Sequence, residues 1–481
     1  MGLPTIYPTG VTIYNPEKAW NGYTLMPIKG VGPVLFDMNG NIVKVWNGLQ
    51  GFPNKLLPGG HVMGNLGVRD RAFGYQDHTD LVQVDWEGNV VWKFDHKEFI
   101  EDPGREPEWM VRQHHDHQRE GNPVGYYAPG MEAKTSSGNT LILTHENVYN
   151  KKISDKLLLD DCFIEVDWEG NIIWEWHANE HFREYGFSES AKNVLFRNPN
   201  LKYNGREFGD WLHINSMSYL GPNKWYDAGD ERFHPDNIIW DSREANICAI
   251  ISKKTGKVVW KLGPDFRETK EQRLIGQIIG QHHVHMVPKG LPGEGNILIF
   301  DNGGWAGYGD PTRTSRDGTK TDIRDTSRVL EIDPVTLKVV WQVVGVDLLP
   351  KDVDYDPTDS FRFYSPFVSS AQRLPNGNTL ITEGVGSRVF EVTPEKEIVW
   401  EFVVPFKSID DYIYRAYRYP YSYVPQAPTP NETPIERLDV RSFRVPGAAS
   451  CELKNVVEVL GVKGWPKAVE RCAAAAEDDK E

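Results

Sequence analysis

Hydrophobic and polar positions alternate along this chain in short runs, and the runs come in pairs that end in tryptophan. One phrase occurs six times: LFDMNGNIVKVW (Leu35 to Trp46), LVQVDWEGNVVW (Leu81 to Trp92), FIEVDWEGNIIW (Phe163 to Trp174), CAIISKKTGKVVW (Cys248 to Trp260), VLEIDPVTLKVVW (Val329 to Trp341) and VFEVTPEKEIVW (Val389 to Trp400). Each reads as a hairpin: a β-branched strand, a turn built on Asp, Gly or Asn, and a second strand closed by Trp. Trp-to-Trp spacings are 46, 82, 86, 81 and 59. A second phrase precedes most hairpins, as in SSGNTLILTHE around Asn139, HPDNIIWDSRE around Asn237, GEGNILIFDNG around Asn296 and LPNGNTLITEG around Asn378. It too is a turn feeding a hydrophobic strand.

Units of this kind, repeated six times without helical periodicity between them, predict an all-β chain forming a six-bladed β-propeller. Each small sheet has two apolar faces, and radial stacking buries both. The tryptophans are then core filling between sheets. Residues 1–425 are assigned to the propeller and 426–481 to a short C-terminal extension that packs on it and ends in a frayed tail. The chain is long for six bare blades. The surplus falls in long inserted loops, Glu98 to Arg112, His177 to Gly209, Asn302 to Thr326 and Pro405 to Pro430, and loops of that length usually serve function.

Composition narrows the function classes. Aromatic residues make up 12% of 481 residues, which excludes a disordered chain. No stretch approaches the ~18 apolar residues of a membrane helix. The net charge of −15 argues against nucleic acid and anionic membranes as partners, and obliges any anionic substrate to meet a local cation cluster. The opening segment lacks the basic and apolar regions of a signal peptide. Cys451 and Cys472 enclose a segment that a disulfide would staple in an oxidising compartment, with two free thiols the equal alternative. Cys162 and Cys248 read as reduced core residues.

Histidine is patterned. Six of the 14 histidines lie in QHHDHQ (Gln113 to Gln118) and QHHVHM (Gln281 to Met286), and WLHINSMSY carries His213. Each segment shortly precedes a GN-type strand, and SSAQRL (Ser369 to Leu374) is the fourth counterpart. Equivalent positions in successive blades surround one axis, so these side chains converge on the central channel. The following strand supplies a second ring: His145, Arg243, Asn302 and Glu383.

These motifs, in this order, resemble the PAPS-independent arylsulfate sulfotransferase family over nearly the whole chain. The resemblance rests on HHD (His114 to Asp116), HIN (His213 to Asn215), DSRE with Arg243, QHH (Gln281 to His283), FDNGG (Phe300 to Gly304), AQRLPNGNTL (Ala371 to Leu380) and YRAYRYPYSYVP (Tyr414 to Pro425). It implies a six-bladed propeller that moves a sulfuryl group from an aryl sulfate ester to a phenolic acceptor, without cofactor, in the periplasm or outside the cell, with a cytoplasmic setting left open by the residues themselves. His282 is the implied nucleophile, forming a sulfohistidine, and the QHH sequence leaves His283 as the alternative. Arg243 suits a forked contact with sulfuryl oxygens. His115 and His213 serve as acid and base, and Asn215 orients the transferring group. His117, His145, His283, His285, Asn302 and Ser370 line the substrate.

Two departures keep a second reading open. The family's QHD is QHH here, and extra histidines stand at 117 and 285. Alternate strand residues share a face, so His115 with His117 and His283 with His285 offer two His-x-His pairs to one cavity. With His213 they form a ligand set for copper or zinc, as in a metal-dependent propeller enzyme of hydrolase, lyase or oxidoreductase type. The extra N-terminal domain of family members has no counterpart in these residues, so dimerisation through it does not follow and the oligomeric state stays open.

Overall fold

The structure is a computed structural model, and it describes residues 9–199, 202–203, 206–348, 363–405 and 412–437. Six antiparallel four-stranded sheets follow one another along the chain. Blade 2 runs Gln50–Leu57, His61–Asn65, Leu81–Val84 and Val90–Phe94; blade 3 runs Gln113–Arg119, Thr140–Val148, Leu158–Val166 and Ile172–His177. Blade 4 comprises Ile214–Tyr219, Ile238–Ser242, Ile247–Ile251 and Val258–Leu262, and blade 5 comprises His282–Met286, Ile297–Asp301, Arg328–Ile332 and Val339–Val344. Blade 6 is Ser370–Arg373, Thr379–Glu383, Arg388–Val392 and Ile398–Val403, with Gly10–Tyr14 added as a fifth strand on its outer edge. Blade 1 combines Tyr23–Ile28, Gly32–Phe36 and Ile42–Val45 with Tyr417–Tyr419, which pairs Tyr23 with Tyr419 and Leu25 with Tyr417. Both ends of the described chain therefore close the ring. The expected six-bladed propeller is the observed architecture.

Turn chemistry explains the repeated phrase. In the hairpins of blades 1, 2 and 3, Oδ1 of Asp37, Asp85 and Asp167 accepts the backbone N–H of Asn41, Asn89 and Asn171, each at 2.8 Å. The residue before each Asn is a glycine with φ of 83°, 96° or 89°, a conformation that costs glycine nothing. The second phrase has its own bond. Asn139, Asn296 and Asn378 donate Nδ2 to Glu165, Glu331 and Glu391 on the third strand of their blades, at 3.0, 2.6 and 2.6 Å.

The six tryptophans do more than fill the core. Each donates its indole N–H to a backbone carbonyl of the next blade's outer turn: Trp46 to Asp85, Trp92 to Trp168, Trp174 to Lys253, Trp260 to Pro334, Trp341 to Pro394 and Trp400 to Met38. The lengths run from 2.8 to 3.2 Å, and the last bond returns to blade 1. Apolar clusters such as Phe163, Trp176 and Trp240 fill the space between blades, and each such ring buried is worth roughly 1.5–3 kcal/mol.

The insertions carry structure of their own. Glu98–Ile100 pairs with Glu108–Met110, and Ala306–Tyr308 with Thr319–Asp322. A helix at Glu189–Arg197 is capped by Ser188, whose side chain accepts from Ala191. Cys162 and Cys248 are buried free thiols. Residues 426–437 adjoin the propeller: Ile435 pairs with Tyr14, and Glu432 accepts from Tyr14 and Tyr421. The remainder of the C-terminal extension, including Cys451 and Cys472, lies outside the described residues. No helix among the described residues is long and apolar enough to cross a membrane.

Candidate active site

Three inner strands carry the site, and each is irregular where its histidines stand. The ladder shifts between Gln113 and His117, between Ile214 and Ser216, and between His282 and His285. His115, His213 and His283 hold φ of 51°, 52° and 54°. Left-handed non-glycine residues are uncommon and cluster at functional sites. This irregularity corrects the simple alternation expected from sequence, because a bulge re-aims the side chains that follow it.

His282 is 2% exposed. Its Nδ1 donates to Oδ1 of Asn302 at 2.8 Å and to the carbonyl of Gly280 at 3.1 Å. Asn302 is itself oriented, since its amide donates to the carbonyls of Ser365 and Val368. The Nε2 atom accepts the backbone N–H of Val368 at 3.1 Å. The ring is thus the Nδ1–H tautomer with its lone pair on Nε2. Burial, reinforced by the Arg243 charge, holds its imidazole well below the ordinary range.

His213 donates Nδ1–H to Asp210 at 2.6 Å. Burial alone would raise the Asp210 carboxyl, but His213 outweighs it and holds it below the usual value. His115 packs edge-on against His213, ring centroids 4.6 Å apart, and against Phe52 at 4.7 Å. Its Nδ1 bonds Nδ1 of His114 at 2.8 Å. Burial, then the neighbouring His213 and His114, keep the His115 imidazole well below the ordinary range. Phe52 stacks on Tyr414 at 3.8 Å, and Tyr75 lies 6.0 Å from His213.

Arg243 pairs with Glu244 on its own blade and donates its backbone N–H to the carbonyl of His213. Asn215 donates Nδ2 to the carbonyl of Gln281 at 2.9 Å, and its Oδ1 is buried without a hydrogen bond. Ser370 spends its hydroxyl on Thr382 within blade 6. In the second ring, His145, Arg243 and Asn302 are register equivalents, whereas Glu383 falls one position early and Gly384 takes that place. Glu383 pairs with Arg388 instead.

Sequence reasoning missed the centre's strongest charges. Arg415 is 1% exposed and donates to Oδ2 of Asp116 at 2.9 Å and to the carbonyl of Asn215 at 2.6 Å. Lys55 reaches Oδ1 of Asp116 at 2.6 Å. Burial opposes ionisation of Asp116, but Arg415 and Lys55 outweigh it. The signal for Arg415 lay in the YRAYRY segment; Lys55 stands in an ordinary strand and had none.

The five residues expected as a copper or zinc set do not form one ligand group. His115 stands with His213. His283 and His285 lie 4.4 Å apart and bond Tyr417 and Tyr126. His117 has no hydrogen bond at either ring nitrogen. Among the described residues, the ligand atoms that converge belong to His114, His145 and Asp161, and to Glu146, Cys162 and His177.

The centre of this six-bladed propeller thus gathers a tautomer-locked histidine, an Asp–His pair and buried cations. The family model described as Arylsulfotransferase (ASST) matches residues 132–415, more than half of the chain, and the chain belongs to that family. Its activity class is in general terms arylsulfate sulfotransferase, acting on small molecules. No curated protein matches the chain. Among solved structures, a protein of unknown function from Bacteroides caccae is 10% identical, covering 83% of this chain and 98% of its own, with a TM-score of 0.42. The Cps50 (Swd1) β-propeller domain of Myceliophteria thermophila is 7% identical, covering 84% and 89%, with a TM-score of 0.35. Catalytically inactive virginiamycin B lyase from Staphylococcus aureus is 8% identical, covering 83% and 90%, with a TM-score of 0.33. No residue role follows from these likenesses.

Proposed function

We propose that the chain transfers a sulfuryl group from an aryl sulfate ester to a phenolic acceptor through a sulfohistidine on His282. The observation that carries this reading is the locked tautomer: Asn302 fixes the proton on Nδ1, and Nε2 keeps its lone pair. In the first half-reaction Nε2 attacks sulfur and the sulfur–aryloxide bond breaks. The aryl oxygen leaves as a phenol, taking a proton from Nε2 of His213. Asp210 orients that ring and offsets its positive charge when it carries both protons. In the second half-reaction His213 removes the proton of the acceptor phenol, whose oxygen attacks sulfur and releases His282.

His115 acts as a neutral donor to the sulfuryl oxygens rather than as the acid, because burial disfavours its charged form. Arg243 supplies the nearby positive charge that an anionic donor needs against a net charge of −15. Phe52, Tyr75 and Tyr414 surround His115 and His213 and suit an aryl ring. On this reading the reaction needs no cofactor, and the family's habit of export supports a periplasmic or extracellular setting.

The test is turnover of 4-nitrophenyl sulfate with a phenol acceptor, combined with intact-mass analysis after donor alone. One acid-labile sulfuryl addition and parallel double-reciprocal plots are expected. Intersecting plots with an unmodified mass would sink covalent transfer.

A further inference from the structure

Beside His115, on blade 3, lies a second constellation that the proposed transfer does not use. His114, His145 and Asp161 come from three successive strands of blade 3, Gln113–Arg119, Thr140–Val148 and Leu158–Val166. His145 and Asp161 are direct cross-strand partners. All three side chains are fully buried. Nε2 of His114, Nε2 of His145 and Oδ1 of Asp161 make no hydrogen bond, yet lie within 4.8 Å of one another. Buried polar atoms of this kind destabilise a fold when left unmatched. A single proton satisfies one pair of them, whereas a cation satisfies all three.

We propose that Nε2 of His114, Nε2 of His145 and Oδ1 of Asp161 bind one divalent d-block cation of the zinc type.

The separations fit. Nε2 of His114 lies 3.3 Å from Oδ1 of Asp161, and Nε2 of His145 lies 4.0 Å from it. Ligands at about 2.0–2.1 Å in tetrahedral array stand about 3.3 Å apart, so the longer pair closes by about 0.7 Å (4.0 less 3.3). The ligands are preorganised. His145 donates Nδ1–H to Asp77 at 2.7 Å, and Asp77 is held by Arg112 at 2.9 Å and Arg69 at 3.1 Å. A carboxylate on the far nitrogen is the usual support of a metal-bound histidine. Rings of His114 and His145 stack in parallel, centroids 3.5 Å apart and 11° between planes, which sets both Nε2 atoms side by side. Two imidazoles and one carboxylate suit zinc and its neighbours, whereas magnesium and calcium take oxygen shells.

The cation has a consequence for the site. A neutral His114 that gives Nε2 to a metal carries its proton on Nδ1. That proton is donated to Nδ1 of His115, 2.8 Å away. His115 then holds its own proton on Nε2, as a donor. His114 is a positioning residue in this arrangement.

The experiment uses the full chain, expressed in zinc-supplemented medium and purified without chelator. Elemental analysis is expected to find one zinc per chain, and X-ray absorption a nitrogen and oxygen shell without sulfur. Asp161→Asn and His145→Gln are expected to lose the zinc, and Cys162→Ser to keep it. A folded natural chain without zinc, a sulfur scatterer at the metal, or retention by Asp161→Asn would each overturn the proposal. Where a variant fails to fold, the absorption spectrum of the natural chain decides alone. A chain that transfers sulfuryl yet carries no zinc as purified overturns this site, through the missing metal, and leaves the proposed function standing. Zinc without transfer does the reverse.

Discussion

Val368 donates its backbone N–H to Nε2 of His282 at 3.1 Å, so the lone pair that the proposed transfer would use is engaged in the resting chain. Val368 and Ser369 hold φ of 55° and 89°, a backbone that persists only where its surroundings over-determine it. Donor binding has to break this bond. His282→Ala and His282→Asn are expected to abolish turnover of 4-nitrophenyl sulfate. Removing the acceptor leaves the Val368 N–H unpaired, at a cost of about 1–3 kcal/mol in thermal or urea unfolding. Near-natural turnover in either variant would remove His282 from the role of nucleophile.

The same residue sets a pH dependence. Its folded value lies below the ordinary imidazole value of 6.5, so His282 takes up a proton only at lower pH. Activity should persist as pH falls to 6.5 and decline below it. A profile of kcat/KM against pH reads the free enzyme's groups. An acid limb centred above 6.5 would contradict a buried neutral nucleophile.

Arg243 is paired with Glu244, a carboxylate that is buried, and two roles must be separated. Arg243→Met should lower kcat/KM by about 2–4 kcal/mol of transition-state stabilisation, the range for one preorganised donor. It also strands Glu244. The double variant Arg243→Met with Glu244→Gln should recover stability without recovering rate. Recovery of both would make Arg243 a structural partner only.

Asp241 gives a stability test with a definite sign. Burial raises its carboxyl from 3.8 to about 8, so the folded chain holds a proton there that the unfolded chain releases. That group's contribution therefore falls as pH rises from about 4 to 8. Asp241→Asn lacks the effect and keeps an acceptor for Ser216. Its stability relative to the natural chain should rise by up to about 1.4 kcal/mol per pH unit, levelling off above 8. A flat difference in urea midpoints between pH 6 and 8 would refute it.

Trp260→Phe keeps most of the packing and removes one interblade bond, from the indole to the carbonyl of Pro334. The expected loss is about 0.5–1.5 kcal/mol by urea unfolding. Adding Trp92→Phe, two blades away, should double it, because distant sites add.

The propeller was legible because its period is written in local chemistry: a hairpin closed by a terminal Trp recurs six times, three of them on an Asp–Gly–Asn turn. The histidine segments were legible because each precedes a repeated strand, but their shared station was not: Gln113 and Ile214 are equivalent in register, so His213 falls one residue before that station and His115 two residues beyond it. Three further features were not legible. Bulges at His115 and His283 leave no mark in an alternating pattern, so the two His-x-His pairs looked alike. Lys55 and Arg415 meet at Asp116 from opposite ends of the chain, and no spacing rule links them. Asp161 sits in an apolar strand, where its meeting with His114 is decided by register alone.

The inner strand of blade 1 is the last strand of the propeller to be synthesised. Arg418 donates to Thr24, 394 residues earlier in the chain. At about 5–20 residues per second, roughly 20–80 s separate the two on the ribosome. Through that interval blade 1 lacks its inner strand, and Asp116 lacks Arg415. The order of translation thereby keeps every unfinished chain from completing its charged centre.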